Sequence, residues 1–434
     1  MGFSPCGRFY KWFQPFSFRM NYSVKDIKLA GQGSSQIEWA ESQMGALLDV
    51  RKRFAKERPL NGEKIGMALH VTKETAALVR TLIAGGAKVA ITGCNPLSTQ
   101  DDVAAALAEE GVHVYAKKGE TKGEYYEYLN KVLDFGPTAT IDDGLDLVTE
   151  IHTKRPELIP QIKVGTEETT TGVIRLRAME RDKALRYPVI AVNDNRTKHL
   201  FDNYYGTGQS TIDGILRATN ILFAGKIIAV IGYGDCGRGV AEKSRGLGSN
   251  VIVVEVDPIR ALQAKMDGFS VMSLERALPH ADVFITVTGN KHAIPKSAFR
   301  RMKGGAILAN SGHFDVEIDV KGLEEISSKK RRVRWQLDEY TLKSGKKLYL
   351  CAEGRLVNLG AAEGHPSTVM SLSFCGQALA LEYGLKHKLS AGLHVLPDSV
   401  DEHIARLQLK AMGVHIGALT KEQHKYLNSW KEGT

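Results

Sequence analysis

Short apolar runs alternate with amphipathic stretches through most of the chain. "KIGMALHV" (Lys64–Val71) is a compact apolar run that predicts a strand. "KETAALVRTLIAGG" follows with apolar residues at helical spacing and ends on glycines. "KVAITGC", "VHVYA" and "TATID" predict further strands, and "DDVAAALAEEG" and "YYEYLNKVLDF" predict helices between them. Ser98 and Thr99 are the candidate caps of "DDVAAALAEEG". Ahead of this series, "QIEWAESQMGALLDVRKRFAKERP" (Gln36–Pro59) reads as one amphipathic helix stopped by proline. A second series begins near Gly225 with "KIIAVIG", "CGRGVAEKSRGLG", "NVIVVEVD", "DVFITVTG" and "GAILANSG". Alternation of this kind implies parallel sheets covered by helices. The expected fold is α/β, with two doubly wound parallel-sheet domains and a small helical C-terminal segment. One domain spans 24–205 and is completed by about 365–410; the other spans 206–364; the segment is 411–434. Residues 1–23 are expected to be a disordered extension, with Met20 as an alternative start.

Composition narrows the class. The 434 residues suit two or three domains, and 43% apolar with 25% charged residues is ordinary for a soluble globular protein. The net charge of +9 is modest, and its main cluster, "SSKKRRVRW" (Ser327–Trp335), reads as a solvated edge strand or loop. No nucleic-acid partner is expected. Five scattered cysteines without a CxxC fit a reducing, cytoplasmic setting, with no disulfide framework and no metal site. No apolar run is long enough to span a membrane. The N-terminus lacks the continuous apolar core of a secretory signal, and Cys6 misses the myristoylation pattern.

"VIGYGDCGRG" places Gly232, Gly234 and Gly237 as GxGxxG. It follows a β-branched strand, opens a helix, and precedes a strand ending in Glu255, about twenty residues on. The first glycine allows the tight turn, the second lets amides approach a pyrophosphate, and the third lets helix pack on strand. Glu255 would accept from a ribose 2′-hydroxyl and repel a 2′-phosphate. NAD is therefore favoured over NADP, despite the nearby Arg260.

Chemically capable residues fall at the ends of the first series of strands, where open sheets bind ligands. His70, Thr72 and Glu74 follow the first strand, Asn95 and Ser98 the second, and Asp143 the fourth. In "IDDGLDLVTEIHTK", Asp143 reads as the reactive acid and Asp146 as a helix cap. Asp142 points away and holds the turn. "GTEETTTGV" sets Glu167 and Glu168 before Thr169–Thr171; the threonines suit caps, or the acids suit a sugar diol. In "VNDNRTKHLFDNYYG", Lys198 and Asp202 share a helical face amid Asn193, Asn195 and Asn203. Burial lowers a lysine pKa and a nearby carboxylate raises it, so sequence leaves the proton state of Lys198 open.

These segments, with "NPLSTQDD", "GHFDVEID" and "EGRLVNLGAAEGHPSTVM", resemble the S-adenosyl-L-homocysteine hydrolase family from about Val24 to near the C-terminus. The resemblance implies reversible splitting of S-adenosylhomocysteine into adenosine and homocysteine. It implies tightly held NAD that oxidises the 3′-hydroxyl for a time, elimination at C4′–C5′, water addition and reduction. It implies His70, Asp143, Glu168, Asn193, Lys198 and Asp202 as catalytic residues. Glu168 and Thr169 would bind the ribose diol. Lys198 with Asp202 would handle the 3′-hydroxyl proton, and Asn193 would orient the lysine. Asp143 and His70 would serve proton transfer at C4′ and C5′. Thr72, Glu74 and His365 would line the purine side, and His313 would lie between substrate and nicotinamide. NAD would contact Thr169, Thr170, Thr171, Asn203, Gly232, Gly234, Asp235, Cys236, Gly237, Arg238, Gly239, Glu255, Asn290, Ser311, Gly312, His313 and Asn358. A homotetramer is implied. Three departures stand out: Thr207 replaces a cysteine common in the family, Glu363 replaces a methionine, and the chain stops at "SWKEGT" short of a Lys/Tyr tail. Glu363 opens an inosine-based substrate as an alternative.

Overall fold

Val, Ile, Ala and Leu dominate the runs that become strands, and glycine or polar turns end them. The computed structural model describes residues 22–431. The expected extension lies outside the described residues except at its end, where Ser23 forms a β-bridge with Tyr115. In chain order the strands are β1 Lys64–Ala68, β2 Lys88–Thr92, β3 His113–Tyr115, β4 Ala139–Asp142, β5 Val164–Glu167 and β6 Pro188–Ala191. Then come β7 Ile227–Ile231, β8 Asn250–Val254, β9 Ser270–Val271, β10 Val283–Thr286, β11 Ile307–Asn310, β12 Ser327–Arg334, β13 Leu337–Leu342, β14 Lys347–Cys351 and β15 Gly392–His394. One sheet runs β15-β6-β5-β4-β1-β2-β3 and is parallel throughout. The other runs β12-β13-β14-β11-β10-β7-β8-β9. Its β12–β13 and β13–β14 pairs are antiparallel, so a hairpin edge joins the expected parallel core.

Strand order reverses at β4/β1 in the first sheet and at β10/β7 in the second. Crevices open at such switch points, beyond the carboxyl ends of the strands. Helices cover both faces: Ile37, Leu47, Phe54 and Leu379 pack one face of the first sheet, and Tyr128, Leu129, Leu147 and Ile151 the other. Full burial of one such side chain contributes about 1.5–3 kcal/mol. The basic cluster is the exposed edge strand β12, its Arg331 and Arg332 paired with Glu339 and Asp338.

Three local expectations are corrected. The single helix over Gln36–Pro59 is two helices, Ala30–Ser42 and Gly45–Glu57. Met44 leaves helical geometry to bury its side chain fully, and a Cβ on Gly45 would stand 2.8 Å from Ala411 Cβ. Neither Ser98 nor Thr99 caps the helix Asp101–Glu109; Gln100 stands at that position without a side-chain cap bond. Asp146 is not a cap either, whereas Asp142 does point away from the cavity and hold the turn. Asp142 is fully buried and accepts from the amides of Asp143 and Val148, both at 2.9 Å. Leu145 takes a left-handed conformation (φ 71°), which turns the helix start back over Asp142. Asp146 instead meets the Tyr125 hydroxyl at 2.9 Å and Arg175 at 2.8 Å.

Candidate active site between the two sheets

The carboxyl ends of both sheets wall one cavity of about 880 Å³. His70, Thr72, Glu74, Asp143, Glu168, Lys198, Asp202 and His365 line it from the first side and the segments crossing to the second, and His313 lines it from the turn after β11. Thr169, Thr170, Thr171, Asn203, Gly232, Gly234, Asp235, Cys236, Glu255, Asn290, Ser311, Gly312 and Asn358 also line it. Asn193, Gly237, Arg238 and Gly239 stand behind this wall. Arg238 lies over the Tyr204 ring, and a Cβ on Gly239 would meet Tyr204 O at 2.0 Å. Gly239 thus serves close helix packing.

Lys198 and Asp202 are buried rather than on the surface, at the start of a π-helical turn over His199–Gly206. Lys198 Nζ stands 2.9 Å from Asp202 Oδ2 and 3.7 Å from Glu168 Oε1, and donates to Asn203 Oδ1 at 2.8 Å and Asn193 Oδ1 at 3.4 Å. Burial opposes the ammonium charge, yet Asp202 and Glu168 hold Lys198 above its ordinary pKa. Lys198 is therefore a cation at neutral pH. Burial pushes Asp202 up, but Lys198 and His365 prevail and keep it ionised. Burial lifts Glu168 to about 7, against the pull of Lys198.

His70 and Asp143 meet across the β1/β4 switch, Nε2 to Oδ2 at 3.4 Å. His313 Nδ1 stands 3.5 Å from the other Asp143 oxygen. The ligand atoms of these three residues lie within 4.8 Å of one another, a grouping that spacing along the chain does not reveal. Burial lowers His70 to about 4, so its imidazole is neutral at neutral pH. Its Nδ1 contacts Ser98 Oγ at 2.7 Å and Cys94 Sγ at 3.2 Å. Burial raises the Cys94 thiol well above its usual range, so it stays protonated beside Asp143.

Sequence reading sets His365 with Thr72 and Glu74. All three line the cavity, and the His365 ring pairs through Nδ1 with Asp202, while Nε2 meets Asn358 at 3.2 Å and Thr207 at 3.3 Å. Thr207 also accepts from Cys236 Sγ at 3.5 Å, so a thiol borders that position although Thr207 itself lacks one. Glu363 leaves the cavity wall. Its carboxylate joins Lys73 at 2.9 Å and Arg217 at 3.2 Å. Sequence reasoning passed over Ser373 and Gln377, which donate to Asp202 and Glu168. Both sit in the buried helix Ser367–Lys386. Polar residues four apart in an apolar helix were the available signal.

On the second sheet the backbone forms the site. Gly232 has φ +105°, and a Cβ on Gly237 would stand 2.1 Å from Gly232 O. Glu255 accepts from the amides of Tyr233 at 2.7 Å, Val256 at 2.6 Å and Asp257 at 2.9 Å. Glu317 holds the turn after β10 through the amides of Thr288 at 2.9 Å and Gly289 at 2.7 Å. The glycine turn, the helix that it opens and the carboxylate at the end of β8 fit a dinucleotide.

Residues 21–159 match the model of the family described as S-adenosyl-L-homocysteine hydrolase, and residues 203–364 match its NAD binding domain. The adenosylhomocysteinase of Sulfolobus acidocaldarius is 59% identical over 417 residues, covering 96% of this chain and 100% of that one. The chain belongs to the S-adenosyl-L-homocysteine hydrolase family. The family also includes the adenosylhomocysteinase of Aquifex aeolicus, 56% identical over 96% of this chain and 100% of that one. A third relative is the S-inosyl-L-homocysteine hydrolase of Methanocaldococcus jannaschii, 58% identical over 95% of this chain and 100% of that one. NAD is the cofactor of the domain over 203–364, the domain that contains the glycine turn and Glu255. No helix among the described residues is long and apolar enough to cross a membrane.

Proposed function

We propose that the protein reversibly hydrolyses S-adenosyl-L-homocysteine to adenosine and L-homocysteine. The observation that carries this reading is the joining of Glu168, Lys198, Asp202, His70 and Asp143 in one cavity with the dinucleotide loop. A simple dehydrogenase needs the loop but not this set. NAD, when bound, supplies a reversible hydride acceptor for the 3′-carbon of the ribose. Glu168 accepts hydrogen bonds from the diol. Lys198 is a cation at rest, so it stabilises negative charge at the 3′ oxygen; Asp202 and His365 behind it carry protons to and from that place. Asn193 and Asn203 hold the lysine. His70, neutral at rest, takes and returns a proton near C4′ and C5′ together with Asp143, and His313 backs Asp143. Burial of these groups keeps bulk water away from the reactive sugar.

Assembly as a homotetramer belongs to the same reading. The C-terminal segment leaves Met412, Ile416, Leu427 and Trp430 exposed within one chain, Trp430 to 89%, which supports cover by another copy.

The test is purified protein given adenosine and homocysteine without added reductant. S-adenosylhomocysteine should form; no product from NAD-loaded protein overturns the reading. An inosine arm tests the alternative set by Glu363 and by the inosyl-type relatives. The expected result is preference for adenosine, because the Glu363 carboxylate is engaged outside the cavity wall; preference for inosine overturns it.

A further inference from the structure

Glu167 has no part in the scheme above, yet it is fully buried at the end of β5. It sits between the two turns that carry the reacting groups. Its Oε1 accepts from the amide of Gly144 at 2.8 Å and from the amide of Thr169 at 3.1 Å. Gly144 follows Asp143, and Thr169 follows Glu168. One oxygen thus ties the turn after β4 to the turn after β5. Asp142, the register partner of Glu167, adds its own bonds to the first turn, and the Glu168 amide donates to Asp142 O at 3.0 Å.

Neither acid lines the cavity. A buried carboxyl is hard to accommodate without partners, so this placement needs a reason beyond filling space. The chain also makes room for it. A Cβ on Gly172 would stand 2.1 Å from the Glu167 carboxyl carbon. Gly144, with φ +103°, lies where a Cβ would meet His313 Nε2 at 2.2 Å. Two glycines therefore let the acid, the turn and His313 close on one another.

We propose that Glu167 is a positioning residue, whose single bonded oxygen sets the spacing between Asp143 and Glu168. The proposal rests on the hydrolase reading above. It needs an acceptor at Oε1 and no negative charge. The other oxygen, Oε2, is buried without a partner. Burial, helped by Asp142 and Asp143, raises the Glu167 pKa well above the carboxylate range, as fits a neutral acid. Glutamine keeps the acceptor; leucine removes it.

The test compares NAD-loaded wild type, Glu167→Gln and Glu167→Leu by kcat, KM for adenosine, the pH profile of kcat, and amide hydrogen exchange. Glu167→Gln should keep kcat within about 3-fold with an unmoved pH profile, since the geometry survives. Glu167→Leu should lose kcat by about 100-fold, more than KM changes, because a misplacement of about 1 Å carries that penalty. Exchange at the Gly144 and Thr169 amides should speed up in Glu167→Leu. A folded Glu167→Gln that loses kcat or shifts the pH profile overturns the proposal, because Glu167 would then move a proton. Full kcat in Glu167→Leu also overturns it. If the leucine variant does not fold, the glutamine variant decides. An inactive wild type sinks the hydrolase reading, whereas unchanged exchange at both amides in Glu167→Leu sinks the clamp by itself.

Discussion

The two walls of the cavity are built on opposite principles. On the first sheet, the working atoms belong to buried ionisable side chains that set one another's charge: Lys198 with Asp202 and Glu168, His70 with Asp143. On the second sheet they belong to the backbone, and side chains matter by being small or by holding amides, as Gly232, Gly237 and Glu255 do. The first wall should therefore fail when charge is removed, and the second when volume is added.

Removing charge should have the largest effect. Lys198→Ala is expected to cut turnover by about 10²–10⁴-fold while NAD stays bound, measured by product formation and by the NAD content of the purified protein. Loss of NAD without loss of turnover per bound NAD would reverse the assignment of the two walls. Gly237→Ala comes next. Its methyl group must displace Gly232 O, so NAD should be lost and stability should fall by about 1–3 kcal/mol, seen in cofactor content and denaturant midpoint. His70 ties the first wall to pH. Folded His70 stays neutral down to about 4, whereas the unfolded side chain takes a proton near 6.5. The unfolded state binds more protons in that window, so this group withdraws stability as pH falls from 6.5 to 4 and has no effect above it. His70→Gln should flatten that part of the stability curve; an unchanged slope refutes it. Asp142→Ala should destabilise by about 1–3 kcal/mol through two orphaned buried amides. Asp146→Asn should do less, as Asp146 itself and its partner Arg175 are only part-buried. The smallest effect is expected of Glu363→Met. Its carboxylate bonds away from the wall, so the ratio of adenosine to inosine turnover should hold within about 3-fold, on the hydrogen-bond scale of a solvent-exposed pair.

Legibility followed the same division. The dinucleotide turn was readable because its requirements are local: a strand, glycines at fixed offsets, a helix and an acid at the next strand end. The acids at the β1 and β4 ends were readable as a set, because strand ends are where open sheets gather ligands. The error over Asp146 had a definite cause. Capping rules look one to three residues ahead, whereas Asp142 reaches Val148 across a left-handed Leu145. The break at Met44 was hidden because its helical pattern continues while its side chain is drawn into the core. His365, Ser373 and Gln377 lie far along the chain from Asp202 and Glu168, and no spacing rule joins them.

Taken alone, the order of residues determined the α/β alternation, the dinucleotide turn and the family, because each depends on neighbours within a few tens of positions. Tertiary structure decided the rest. It set the proton state of Lys198 by adding two carboxylates to its burial, turned the His365 ring onto Asp202, and moved the Glu363 carboxylate out of the cavity wall. Charge state and side-chain direction depend on which distant groups share a buried volume, and only the packed sheets bring those groups together.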